Sequence, residues 1–157
     1  MRIFIFTLLF NSLQLCAYAQ HTPVAPLKQY LQDAIDNQLS TLALADKYFC
    51  STQLHQPGPE REFARQITDA WLSGQRKNLR DSQLQLGEVR FVPYDSLTAA
   101  EQPAKPFHMR DETSHTYVAL YHGKIACYFL LQDARIASTL LLGMGEEHIF
   151  LNYCATP

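Results

Sequence analysis

The chain has 157 residues, the length of one ordinary domain. Hydrophobic residues make up 47% and aromatic residues 11%, enough for a packed core and too many for a disordered chain. A formal charge of −2 supplies no pull toward nucleic acid or an anionic membrane, so neither partner is expected.

The first twenty residues read MRIFIFTLLFNSLQLCAYAQ. One basic residue, an apolar run and then Ala17-Tyr18-Ala19 form the layout of a cleavable secretory signal. The apolar run, interrupted by Asn11 and Gln14, is short for a membrane-spanning helix. Cleavage is expected after Ala19, leaving Gln20 first and the chain periplasmic or secreted. A lipoprotein anchored through Cys16 is disfavoured, because the bulky Leu15 stands where a small residue is wanted. The expected organisation is a signal at 1–19, a flexible lead at 20–25 and a single α+β domain at 26–157.

Pro26 suits the first turn of a helix, where its missing N–H costs nothing. Leu27, Tyr30, Leu31, Ala34, Ile35, Leu39 and Leu42 recur at helical spacing, which predicts one amphipathic helix continuing toward Phe49. Gln56-Pro57-Gly58-Pro59 breaks the chain. A second helix is expected from about Pro59, with Phe63, Ile67, Ala70 and Trp71 as its buried stripe. Arg76, Lys77 and Arg80 then read as a solvated helix end suited to the helix dipole.

Leu84 and Leu86 alternate in one phase, and Val89 and Phe91 in the other. A strand over 83–92 bulged at Gly87 would do this. Residues 94–113 are the least regular, with one helical turn expected after Ser96 as its cap.

The C-terminal residues 114–154 look like a meander of four short strands. His122-Gly123 reads as a two-residue hairpin turn, since Gly and, less readily, His tolerate positive φ. Counting outward pairs Tyr121 with Lys124, Leu120 with Ile125, Val118 with Cys127 and Tyr117 with Tyr128. Val118, Leu120, Ile125, Cys127 and Phe129 would then share a core face. His115, Tyr117, Tyr121, Lys124 and Tyr128 would share the other, with His115, Tyr117, Tyr121 and Tyr128 as a candidate recognition face. Gln132-Asp133-Ala134 makes the next turn, residues 136–142 a strand, and residues 149–154 the last one.

The expected fold is α+β, with two N-terminal helices packed on one face of a curved antiparallel sheet of about five strands. In element order alone this resembles small cystatin-like or NTF2-like domains.

After signal cleavage Cys50, Cys127 and Cys154 remain. Cys127 falls on the core face, which leaves Cys50 and Cys154 as the expected disulfide in an oxidising compartment. No C-x-x-C, H-E-x-x-H, G-x-S-x-G or phosphate-binding glycine fingerprint is present, so no metal or cofactor is called for. Glu146-Glu147-His148 places a His after two acids but lacks a second metal ligand at helical spacing, and Asp111, Glu112 and His115 form the other acid–imidazole grouping. The preferred expectation is a non-enzymatic exported domain that binds a small molecule or another envelope protein. The alternative is a small hydrolase-like enzyme pairing Asp111 or Glu112 with His115. Intact mass of the exported protein checks the first expectation: its N-terminus should be Gln20, and any other start counts against cleavage after Ala19.

Overall fold

The structure is a computed structural model that describes residues 23–50, 54, 59–102, 108–109, 115–133, 135–144 and 147–154. The signal at 1–19, Gln20, Cys16, Asp111 and Glu112 lie outside the described residues. The fold is α+β. Three helices, rather than two, are described: α1 (Val24–Asp36), α2 (Thr41–Tyr48) and α3 (Pro59–Asp81). The strands are β1 (Arg90–Pro93), β2 (His108–Met109), β3 (Thr116–Tyr121), β4 (Lys124–Gln132), β5 (Arg135–Ser138), β6 (Leu141–Met144) and β7 (Glu147–Phe150). They form two sheets instead of one. The larger is antiparallel in the order β1-β3-β4-β5, and the smaller runs β2-β7-β6.

The long first helix divides at Asn37. That residue takes a left-handed conformation (φ 55°) and its N–H closes on the Asp33 carbonyl, the common way for a helix to end. Ser40 then caps α2 by accepting the Ala43 N–H at 3.1 Å. Helical spacing continued across the break because Leu39 and Leu44 pack near the same core. Asp33 ties the two helices together, accepting from Lys47 and from the Tyr48 hydroxyl, each at 2.7 Å.

The buried face of α3 is not the apolar stripe. Thr68, Leu72, Arg76 and Leu79 are buried, while Phe63 is 65% exposed and Trp71 half-buried. Arg76 is therefore no solvated helix end: it is 4% exposed and donates to Asn37 Oδ1 at 3.2 Å. Lys77 and Arg80 do face solvent. Burial lowers the Arg76 pKa from the ordinary guanidinium value, against the pull of Tyr30.

The expected strand over 83–92 is mostly turn. Gln83 has φ 52°, Glu88 N–H bonds the Gln85 carbonyl, and only Arg90–Pro93 pairs. Gly87 has open space around it and marks no bulge. Leu84, Leu86 and Val89 still pack on the core, so a folded turn gave the alternation of a strand. The cap after Pro93 is also displaced. A short 3-10 turn covers Tyr94–Ser96. The following turn is capped by Thr98 and Glu101, whose carboxylate accepts the Thr98 N–H at 3.0 Å and pairs with Arg90.

The His122-Gly123 turn forms as expected, with φ 50° and 74°. Its first two pairs are Tyr121–Lys124 and Leu120–Ile125. The register then slips, and Ala119 pairs with Cys127, Val118 with Tyr128 and Tyr117 with Phe129. Ala126 is the extra residue of a β-bulge. Past that point every side chain of β4 is on the face opposite to the one a straight count assigns. Val118, Leu120 and Ile125 thus pack with Leu97, Val92, Tyr94 and Tyr128 on the face away from the helices. Ala119, Cys127 and Phe129 join the helix-side core.

That core is aromatic at its centre. Tyr30 meets Phe129 and Tyr48 edge-on at 5.8 and 5.6 Å between centroids, and Phe49 stacks on Tyr153 at 5.7 Å. The expected strand over 136–142 breaks at Thr139-Leu140, where β6 leaves for the second sheet. The chain after β7 returns beside β5, with Leu151 N–H on the Leu140 carbonyl and Tyr153 N–H on that of Ala137. Cys154 then closes on Cys50 in a disulfide with Cα atoms 4.8 Å apart, and Cys127 is a buried free thiol. The bridge spans 104 residues, so loop closure makes it worth about 4 kcal/mol. A chain beginning at Gln20 should show one reactive thiol when unfolded without reductant. Replacing both Cys50 and Cys154 by Ser should lower its unfolding free energy by about that amount in denaturant titration.

Candidate functional site

β5 pairs with β4 only at Leu130, Leu131 and Gln132. Among the described residues the remainder of that edge, from Lys124 to Phe129, carries no strand. A groove of about 420 Å³ opens there, between α3 on one side and β4 with Thr139, Leu141 and His148 on the other. α3 contributes Ala70, Trp71, Gly74, Gln75 and Asn78 at three- and four-residue spacing, and of these Ala70 and Trp71 belong to the stripe that was expected to enter the core.

Each wall residue is set by its neighbours. The Trp71 indole N–H donates to Thr139 Oγ1 at 3.3 Å, which fixes the ring across the gap. Gln75 Nε2 donates to Cys127 Sγ at 3.2 Å while its Oε1 accepts from the Tyr30 hydroxyl. His148 sits opposite Gly143 in the β6–β7 ladder. A Cβ on Gly143 would lie 3.4 Å from His148 Nε2, so a side chain there would press on the imidazole. Gly74 differs: a Cβ there would meet nothing within 4 Å and would project into open space.

A second hollow of about 350 Å³ lies toward the β3–β4 turn, and Asn78 and Ala126 line both. Its walls add Ser82, Tyr121, His122 and Lys124. His122 faces Glu88 at 2.8 Å and stacks on Tyr121 at 4.0 Å.

The structure divides the four residues of the expected recognition face. Tyr117 and Tyr121 pack against the helix-side core, whereas Tyr128 belongs to the opposite face with Tyr94. His115 is exposed at the start of β3. The bulge at Ala126 is the cause, since the turn residues gave no sign of it. Of the four, Tyr128 lines the groove and Tyr121 the neighbouring hollow. His115 does not line this groove, and Asp111 and Glu112 lie outside the described residues. Asn78 and Thr139 were not singled out from sequence, Trp71 was expected in the core, and His148 was set aside for want of a second ligand at helical spacing. An apolar helix stripe that includes Gly74 was the available signal.

Burial sets the chemistry of the groove. The Tyr128 phenol is pushed up to about 12, by desolvation first and by Tyr94 second. Desolvation raises the Cys127 thiol still further from its ordinary value of 9.0. A thiol held protonated is a poor nucleophile. The same shifts make folding sensitive to alkali. Above pH 9 the unfolded chain loses the Cys127 proton and the folded chain keeps it, so the folded state binds more protons and stability falls. The slope is about 1.4 kcal/mol per pH unit for one such group. The tyrosines add to it above their ordinary value of 10.0. Denaturant midpoints measured from pH 7 to 11 should decline from near 9 in the wild type. In Cys127→Ala the decline should begin about one unit higher.

No family model, curated protein or solved structure matches this chain, and the likeness in element order to cystatin-like and NTF2-like domains has no neighbour behind it.

Proposed function

We propose that this chain is an exported domain that binds a small, mainly apolar molecule in the groove between α3 and β4. The observation that carries the reading is the groove itself. Its volume of about 420 Å³ falls in the range of small-molecule sites. Ala70, Trp71, Gly74 and Leu141 supply apolar wall, and Asn78, Tyr128 and His148 supply a few convergent polar groups. That combination favours a flat or chain-like body oriented by one or two hydrogen bonds. Export is supported by the leader pattern of residues 1–19 and by the Cys50–Cys154 disulfide, a bond of oxidising compartments. Binding is preferred to catalysis because the Cys127 thiol is buried and protonated and Gln75 is committed to Tyr30 and Cys127.

Gly74 makes the test clean. Leucine is the better helix former by roughly 0.5–1 kcal/mol, and at this position its side chain enters the groove without a clash at Cβ. Trp71 is the one tryptophan of the chain and reports from the groove wall. The uncharged dye N-phenyl-1-naphthylamine should bind saturably with quenching of Trp71 fluorescence. Gly74→Leu should keep or raise the unfolding midpoint and weaken dye binding at least about tenfold, the cost of roughly 1.4 kcal/mol of lost contact. Undiminished binding in that variant would remove the groove from consideration.

A further inference from the structure

Resting on the small-molecule reading above, we infer that the ligand is an elongated amphiphile, with its apolar body along the Trp71 groove and an anionic group at Lys124. The two hollows meet at Asn78 and Ala126, which line both. The α3 residues that wall them run from Ala70 to Leu79, about 14 Å of helix at its usual rise, and Ser82 just past the helix end extends the wall. A ligand occupying both is therefore long rather than compact. Ala126, the extra residue of the bulge, is small and exposed at the junction and leaves the way between the hollows passable.

The chemistry changes along this path. Among the described residues, no Asp, Glu, Lys or Arg lines the Trp71 half. The far half carries Lys124, Ser82 and His122. His122 is engaged by Glu88 at 2.8 Å, which also occupies that carboxylate. Lys124 is exposed and has no ion-pair partner among the described residues. It is the charge at this end that a ligand can meet, and an anion is what it prefers. Apolar wall at one end and an uncommitted ammonium at the other fit an acyl chain with an acidic head.

Dodecanoate and dodecanol separate the parts of this inference, because they share a chain and differ in charge. Both are titrated below their aggregation limits at pH 8 and low salt, with Trp71 fluorescence as the readout, into the exported chain, Lys124→Met and Gly74→Leu. The wild type should bind dodecanoate about fivefold more tightly than dodecanol, the scale of one exposed ion pair. Lys124→Met should lose that advantage and bind dodecanol as before, with an unchanged unfolding midpoint. Gly74→Leu should weaken both. Equal binding of dodecanoate by wild type and Lys124→Met overturns the anionic head while leaving the groove intact. Failure of the wild type to bind either compound overturns the amphiphile, and with N-phenyl-1-naphthylamine also unbound it overturns the groove.

Discussion

Ala126 has no partner in β3, and much of the molecule follows from that. The hairpin starts in the register its turn dictates, then slips by one residue between Leu120 and Ala119. The slip sends Cys127 and Phe129 to the helices and Tyr128 to the opposite side. Phe129 in turn receives Tyr30 edge-on, and Tyr30 reaches Gln75 of α3. A straight hairpin would put Tyr128 on the helix side and Phe129 on the far face with Val118 and Leu120, and the aromatic centre of the core would be lost. Bulges add local twist and re-aim side chains, and this one does both where the sheet meets α3.

The far face of the large sheet is covered as well. Tyr94 and Leu97 lie against Val118, Leu120 and Tyr128, so a sheet with helices on one side still has two buried faces. The disulfide performs a related task at the other end. Cys154 packs with Leu130, Ala137 and Phe150, and Cys50 lies beside them. The bridge thus joins the end of α2 to a segment whose backbone is bonded to β5. Tyr153, next to it, stacks on Phe49 in the main core. The last residues are held from two directions, which keeps β6 and β7 near the edge they frame.

Element type was legible wherever local chemistry dominates. The stripe Leu27, Tyr30, Leu31 and Ala34 is buried as its spacing requires, and His122-Gly123 turns as its φ tolerance allows. The disulfide partners could be reasoned out, because burying one thiol of three leaves a single pair. Features that depend on distant contacts were not legible. Nothing near Ala126 announces a bulge: no Gly is there, and both hairpin arms read as good strands. The break at Asn37 was hidden because α1 and α2 bury side chains on the same core. The inward face of α3 could not be told either, since hydrophobicity pointed to Trp71 and Ala70 while packing selected Thr68, Leu72 and Arg76. Trp71, Asn78 and His148 come together only through the tertiary arrangement, and the sequence separations among them carry no motif.

The reversal in α3 explains why a groove exists. A helix ordinarily turns its apolar stripe inward. Here the inner face includes Thr68 and Arg76: Thr68 donates to the Ala64 carbonyl at 2.7 Å, and Arg76 donates through Nη1 to Asn37 while its Nε and Nη2 are buried without a hydrogen-bond partner among the described residues. Ala70 and Trp71 of the apolar stripe are left facing the edge of β4 that β5 does not cover. Two exposed surfaces of complementary character then confront one another across a gap. A chain selected for stability alone would close it, since a larger residue than Gly at position 74 meets no obstacle and improves the helix by roughly 0.5–1 kcal/mol. Gly74 keeps the gap open at that cost, and Gly143 leaves the His148 ring its room on the opposite wall. Gly74 lines the space from α3 and Gly143 stands beside the His148 ring on the facing wall, so both glycines bear on the groove of the proposed binding reading.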